Sequence, residues 1–275
     1  MKTVLILGIT SDIGRELALR LRAEGWSVAG TYREGSKPDN AIAREWTLVH
    51  CDFASAESVD GAALLLREKH VRWDLSIVAV GTEEPIAPFF ESDPAAWERG
   101  VTVNALGPLR LLRAVHGLRK ASASPAVAFF SGSGTNNAAP AYSAYCASKI
   151  LLIKMCELLD AESPDTSFFI IGPGIVRTKI HQQTLDAPKL SGKNFDKVVE
   201  FLGSTNPGTS HADIHDCLMW CVAQGKAVVG GRNIALAHDS WRDGGASLSA
   251  ALRDDLDLYK LRRHGNPMKL PRPSP

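Results

Sequence analysis

The sequence predicts one α/β domain, a doubly wound parallel sheet with helices on both faces, and three observations carry that prediction. Short apolar runs of strand length alternate with longer segments of helical period. The first apolar run leads straight into a glycine turn and then a helix, at GITSDIG. The chain has 275 residues, 45% of them hydrophobic, enough for one large core, and neither a fixed-period repeat nor a low-complexity linker divides it. The domain is expected over residues 1–245, followed by a partly flexible C-terminal extension at 246–275.

Taken in order, the strands are predicted at Thr3–Leu7, Ser27–Thr31, Thr47–Cys51, Leu75–Val80, Ala126–Phe130, Ser167–Ile171 and Asn233–Ala237. Between them, helical periodicity covers Gly14–Ala23, Ala56–Lys69, Ala95–Lys120, Ala141–Ala161 and Ala212–Ala223. The polar stretch 177–210 contains Pro188 and Pro207 and is longer than an ordinary connection, so it is expected to be an irregular lid or binding loop. The basic, proline-rich end, YKLRRHGNPMKLPRPSP, reads as a tail.

Composition narrows the function classes. A formal charge of +1 gives no electrostatic reason to expect nucleic acid or an anionic membrane as partner, so a small molecule is the expected ligand. Five cysteines, Cys51, Cys146, Cys156, Cys217 and Cys221, form an odd set without zinc spacing, and read as thiols of a reducing compartment; no metal is expected. The leading apolar run is too short for a signal core or a membrane span, and the expected location is the cytoplasm.

The first turn has the makings of a phosphate cradle. Gly8 suits a tight turn, Gly14 suits close packing of helix on sheet, and unpaired amides from Thr10 through Ser11, Asp12 and Ile13 can face an anion. Asp12 is expected to turn its carboxylate onto the first amides of the helix as a cap, away from the anion. After the second strand, Tyr32 and Arg33 stand near the place where an acid would grip a ribose; a guanidinium there pairs with a 2′-phosphate, and Arg15 adds a second charge. Asp52, after the third strand, is expected either to accept a hydrogen bond from an adenine or to cap the next helix.

SGSGTNNAAPAYSAYCASK carries the chemistry. Tyr145 and Lys149 lie four apart on one helical face, where the ammonium can lower the phenol's pKa from about 10 and fit it for proton transfer. Ser131 and Ser133 follow a strand at the carboxyl edge of the sheet, where α/β proteins bind ligands.

Here the chain resembles the short-chain dehydrogenase/reductase family, over roughly residues 1–240. The resemblance rests on LGITSDIG, Asp52, Asn104 in TVNALGP, the serines, YCASK and GPGIVRTK, in that order. It implies a Rossmann-like domain that passes hydride between nicotinamide and a secondary alcohol or ketone, and Arg33 with Arg15 makes NADP(H) the expected cofactor in preference to NAD(H). By the same resemblance, Tyr145 is the general acid/base, Lys149 its partner and a nicotinamide-ribose ligand, and Asn104 the anchor of a relay water. Asp52 with Phe53, Gly81, Pro173, Gly174, Ile175 and Thr178 are cofactor contacts, 177–210 is the lid, and homodimers or homotetramers form through the helices at 95–120 and 141–161.

Three departures stand out: Gly132 occupies the usual serine position, which leaves Ser131, the favoured candidate, or Ser133; Val78-Ala79-Val80-Gly81 replaces Asn-Asn-Ala-Gly; and Asp12 replaces a glycine. A non-catalytic dinucleotide sensor or a nucleotide-sugar enzyme is an alternative on the same fold. Asn136 and Asn137 are expected in a turn, Tyr142 in packing or the site wall, His181, Gln182 and Gln183 in the lid opening, and Trp220 and Trp241 in the core or an interface.

Overall fold

The computed structural model describes residues 1–33, 35, 36, 38, 42–242 and 244–263. Of the expected tail at 259–275, residues 264–275 lie outside the described residues. Seven parallel strands, β1 (Thr3–Leu7), β2 (Ser27–Tyr32), β3 (Thr47–His50), β4 (Leu75–Val78), β5 (Ala126–Phe130), β6 (Ser167–Gly172) and β7 (Asn233–Ala235), form one sheet in the order β3-β2-β1-β4-β5-β6-β7. The order reverses between β1 and β4, which opens a crevice at their carboxyl ends.

The helices are α1 (Asp12–Ala23), α2 (Ala56–Glu68), α3 (Pro94–Val101), α4 (Gly107–Val115), α5 (Ser143–Glu162), α6 (His181–Asp186), α7 (Pro188–Ser191), α8 (Lys193–Gly203), α9 (His211–Gln224), α10 (Lys226–Val229) and α11 (Ala246–Asp254). Every strand residue from Val4 to Leu7 is buried, yet their side chains divide by the period of two. Val4 and Ile6 pack with Leu17 and Leu21 of α1, Leu218 of α9 and Leu252 of α11. Leu5 and Leu7 pack on the other face with Leu66 of α2, Leu111 of α4 and Leu152 of α5. Two cores on one sheet explain why the strands are apolar at consecutive positions.

The structure corrects two expectations. The helix expected over Ala95–Lys120 is instead α3, a π-helical turn at Thr102–Leu106, α4 and a 3-10 turn. Pro108 has no N–H to give to the carbonyl of Asn104 four residues back, and the Gly107 N–H bonds Thr102 O, five back. A side chain at Gly107 would meet Phe53 O at 2.3 Å, so this segment lies against the loop after β3. The stretch 177–210 is largely helical, as α6 to α8: Pro188 occupies a first turn, where its missing N–H costs nothing, and Val198 and Phe201 bury one face of α8. Trp241 is buried, as expected, and donates to Leu236 O; Trp220 is half-buried and donates to Gly244 O.

Phe129, fully buried in β5 beneath α4 and α5, reports on this packing. Phe129→Ala is expected to lower unfolding free energy by about 3–5 kcal/mol in a urea titration, the range for aromatic truncation in a core; a loss below about 1 kcal/mol would contradict the two-sided core.

Candidate active site

The crevice begins at the turn after β1. Gly8 has φ +80°, and a side chain there would meet Val80 Cγ2 at 2.9 Å. Its N–H donates to the buried Thr31 Oγ1 at 2.9 Å. At Gly14 a Cβ would lie 2.5 Å from Gly8 O, so both glycines are required by close approach of backbone. Ser11 is the N-cap of α1: its hydroxyl accepts from Gly14 N at 3.0 Å and donates to Gly8 O at 2.9 Å. The N–H groups of Thr10, Asp12 and Ile13 donate to no described residue, and the start of a helix with such free donors suits an anion. These orphan donors and the side-chain-free turn fit the diphosphate of a dinucleotide.

Asp12 does not cap the helix, contrary to expectation, because Ser11 already holds that place. The Asp12 carboxylate accepts from Lys179 N at 2.6 Å, and Lys179 Nζ donates to Thr10 O at 2.8 Å. Asp12 thus ties the cradle to the start of the lid. At the far end, Thr10 Oγ1 lies 3.3 Å from Ser36 Oγ, which bonds Arg33 O at 2.6 Å. Arg33 and Arg15 are exposed and form no ion pair with a described residue. The Asp52 carboxylate accepts from Ala54 N at 2.9 Å and does not cap α2, whose N-cap is Ser55. Phe53 is buried against α4, and Gly81 is exposed beside Ile180.

Tyr145 and Lys149 stand in the first turns of α5, both buried. Lys149 Nζ donates to Phe130 O at 3.1 Å and lies 3.5 Å from Val80 O, joining the ends of β5 and β4. Its ammonium sits over the Tyr145 ring, 5.6 Å from the centroid. Burial lowers Lys149 to about 8. The phenol of Tyr145 is not lowered as expected. Burial, then the Glu83 carboxylate, then Cys146 push it above its ordinary value, because the cation faces the ring while the phenol is desolvated.

Gly132 explains the missing serine. A Cβ there would lie 2.0 Å from Tyr145 Oη and 2.6 Å from Cζ, so the phenol occupies the space a side chain would take. Ser131 is buried and donates to Asn233 Oδ1 at 3.3 Å, toward β7, while Ser133 is exposed. Asn136 and Asn137 are exposed in bends of the same loop. Asn104, fully buried in the π turn, grips the loop after β4: it accepts from Thr82 N at 2.8 Å and donates to Thr82 O at 2.9 Å.

The lid closes on that loop. Gln183 accepts from Glu83 N at 2.6 Å, and its amide donates to Thr82 Oγ1 at 3.1 Å. The Tyr142 hydroxyl donates to Thr184 Oγ1, which donates to Glu83 Oε2, each at 2.8 Å. Gln182 bonds Asp186, and His181 Nε2 bonds Val176 O at 2.8 Å. Pro173 is buried; Gly174 has φ +74° and adjoins Thr209; Ile175 is exposed and its carbonyl accepts from Thr209 N at 2.7 Å; Thr178 Oγ1 lies 3.5 Å from Val176 O. Glu83, Thr184 and Lys179 escape a reading of motifs. For Glu83, its place just after Gly81 at a strand's carboxyl edge was the available signal.

The sequence model of the family described as short chain dehydrogenase matches residues 2–189. The chain belongs to the short-chain dehydrogenase/reductase family. Members of this family are NAD(P)-dependent oxidoreductases acting on small molecules. A short chain dehydrogenase of Penicillium aethiopicum is 30% identical over 223 residues, covering 76% of this chain and 87% of its own. The D-threitol dehydrogenase of Mycolicibacterium smegmatis is 25% identical over 199 residues, 68% of this chain and 75% of its own. A short chain dehydrogenase/reductase from Saccharomyces cerevisiae shares the fold with TM-score 0.77 at 17% identity, over 90% of this chain and 99% of that one.

Gly132→Ala should separate packing from chemistry in this short-chain dehydrogenase. The added methyl must displace the Tyr145 ring, so kcat is expected to fall at least about tenfold, roughly 1.4 kcal/mol of barrier, while Ser131→Ala loses less. Equal effects of the two changes would contradict the placement of Tyr145 against Gly132.

Proposed function

We propose that the protein is an NADP(H)-preferring oxidoreductase that moves hydride between nicotinamide and a secondary alcohol or ketone, with Tyr145 as general acid/base. The observation that carries this reading is the convergence of Tyr145, Lys149 and Asn104 at the carboxyl edge of β4 and β5, beside the orphan amides after β1. The nicotinamide, when bound, supplies or accepts the hydride. Thr10 to Ile13 hold the diphosphate, and Asp52 with Phe53, Gly81 and Pro173 to Thr178 line the rest of the cofactor's path.

Tyr145 holds its proton near neutral pH, which suits it to protonate a carbonyl oxygen as hydride arrives. Lys149 orients the ring and provides positive charge as a phenolate develops. Asn104 fixes the loop over the site through Thr82 and anchors the relay water. Since the Ser131 hydroxyl is engaged by Asn233, we assign the hydrogen bond to the substrate oxygen chiefly to Tyr145. The alcohol or carbonyl class is supported by the relative whose name records action on D-threitol.

Preference for the phosphorylated cofactor is supported by the exposed Arg33 at the end of β2, where an acid would repel a 2′-phosphate, and by the exposed Arg15 in the first turn of α1. We place the enzyme in the cytoplasm, on the strength of five unbridged thiols. We assign it a homodimer or homotetramer through the α3–α4 segment and α5, which leave Leu106 and Leu158 partly exposed.

A panel of ketones with NADPH tests the reading. Tyr145→Phe should abolish turnover and preserve cofactor affinity. Arg33→Ala should weaken NADPH at least about tenfold, roughly 1.4 kcal/mol, and leave NADH unchanged. Turnover by Tyr145→Phe, or equal affinities for the two cofactors, would contradict it.

A further inference from the structure

We infer that Glu83 is the substrate-recognition group of this site and selects alcohols or ketones bearing a second hydrogen-bond donor, a hydroxyl or an ammonium, near the reacting carbon. The inference rests on the oxidoreductase reading above and names what that reaction acts on.

Four observations place the carboxylate over the reaction space. Glu83 follows Gly81 and Thr82 at the carboxyl edge of β4, beside the sheet's switch point. Thr82 is clamped by both side-chain atoms of buried Asn104, and Glu83 N is clamped by Gln183, so the residue is fixed from the sheet side and from the lid side. Its Oε2 takes the hydroxyl of Thr184, whose own acceptor site is filled by Tyr142, the residue preceding α5 and three before Tyr145. After burial, the same carboxylate contributes to raising the phenols of Tyr142 and Tyr145 and the thiol of Cys146.

The carboxylate is also incompletely matched. Glu83 is half-buried, forms no ion pair with a described residue, and its second oxygen takes no hydrogen bond from one. Burial lifts its pKa, against the Thr184 hydroxyl and His181. A partly desolvated carboxylate with an open acceptor oxygen is stabilised by any donor delivered to it, and a charged donor most of all. A substrate hydroxyl or ammonium would supply that donor. Its arrival would also offset the negative charge that now opposes a Tyr145 phenolate. An apolar substrate of the same shape would leave the oxygen unmatched, which sets the direction of selectivity.

The test uses cyclohexanols carrying methyl, hydroxyl or amino groups at ring position 2, 3 or 4. Their binding to the NADP⁺-saturated protein is measured by calorimetry in a Tyr145→Phe background, where turnover does not interfere. At one ring position or more, the hydroxyl and ammonium compounds should bind at least about tenfold tighter than the methyl compound. Glu83→Leu should erase both advantages, and Glu83→Gln, which keeps an acceptor for Thr184, should erase the ammonium's while keeping part of the hydroxyl's. A circular-dichroism melt checks that each variant is folded, and Glu83→Gln decides alone if Glu83→Leu is not.

The inference is overturned if the methyl compound binds as tightly as the others at every position, if none of the compounds binds, or if the advantages survive both substitutions. Oxidation of the same panel by the wild-type protein is followed separately as NADPH formation. No turnover of any compound would count against the oxidoreductase reading, while the binding ratios still decide the role of Glu83.

Discussion

The arrangement of the site depends on one buried cation. Lys149 gives up water to reach the carbonyls at the ends of β5 and β4, and two neutral acceptors do not replace full hydration. Its ammonium is therefore destabilised, and between about 8 and the ordinary value of about 10.4 the folded protein binds fewer protons than the unfolded chain. Stability from this group is accordingly lost as pH falls through that window and is recovered as pH rises. What the strain secures is position: the amine stitches α5 across two strand ends, and the ring of Tyr145, one turn earlier, is held beneath it against Gly132.

The 177–210 segment is fastened at two places. Asp12 and Lys179 join it to the phosphate cradle, while Gln183 and Thr184 join it to the loop after β4. Arg177 stiffens the base of the lid by donating to carbonyls of Phe201, Leu202, Ser204 and Asn206 at the end of α8. The same few hydrogen bonds that fasten this helical segment also hold Glu83 at the carboxyl edge of β4.

The strands and the pairing of Tyr145 with Lys149 were legible because they rest on short-range rules. Apolar runs of strand length placed all seven strands within a few residues of their ends, and a spacing of four put Tyr145 and Lys149 on one face. What escaped depends on distant partners. The break at Asn104 follows from Pro108 and from the close passage of Phe53 beneath Gly107, of which only the proline is visible locally. Asp12 was misread because a first-turn acid and an N-cap look alike in sequence, and its true partner is 167 residues away. Ser131 continues β5, and its hydroxyl donates to Asn233 Oδ1, 102 residues away, a partner no local pattern announces. The expected fall in the Tyr145 pKa rested on the lysine's charge alone, whereas burial of the ring and the Glu83 carboxylate act in the other direction.

The central claim is that the site is organised around a desolvated lysine, and its titration tests that most directly. With lysine labelled at Cε, the NMR signal that disappears in Lys149→Met should titrate near about 8, well apart from the surface lysines. Titration of that signal at or above about 10.4, the value of a solvated amine, would contradict the account.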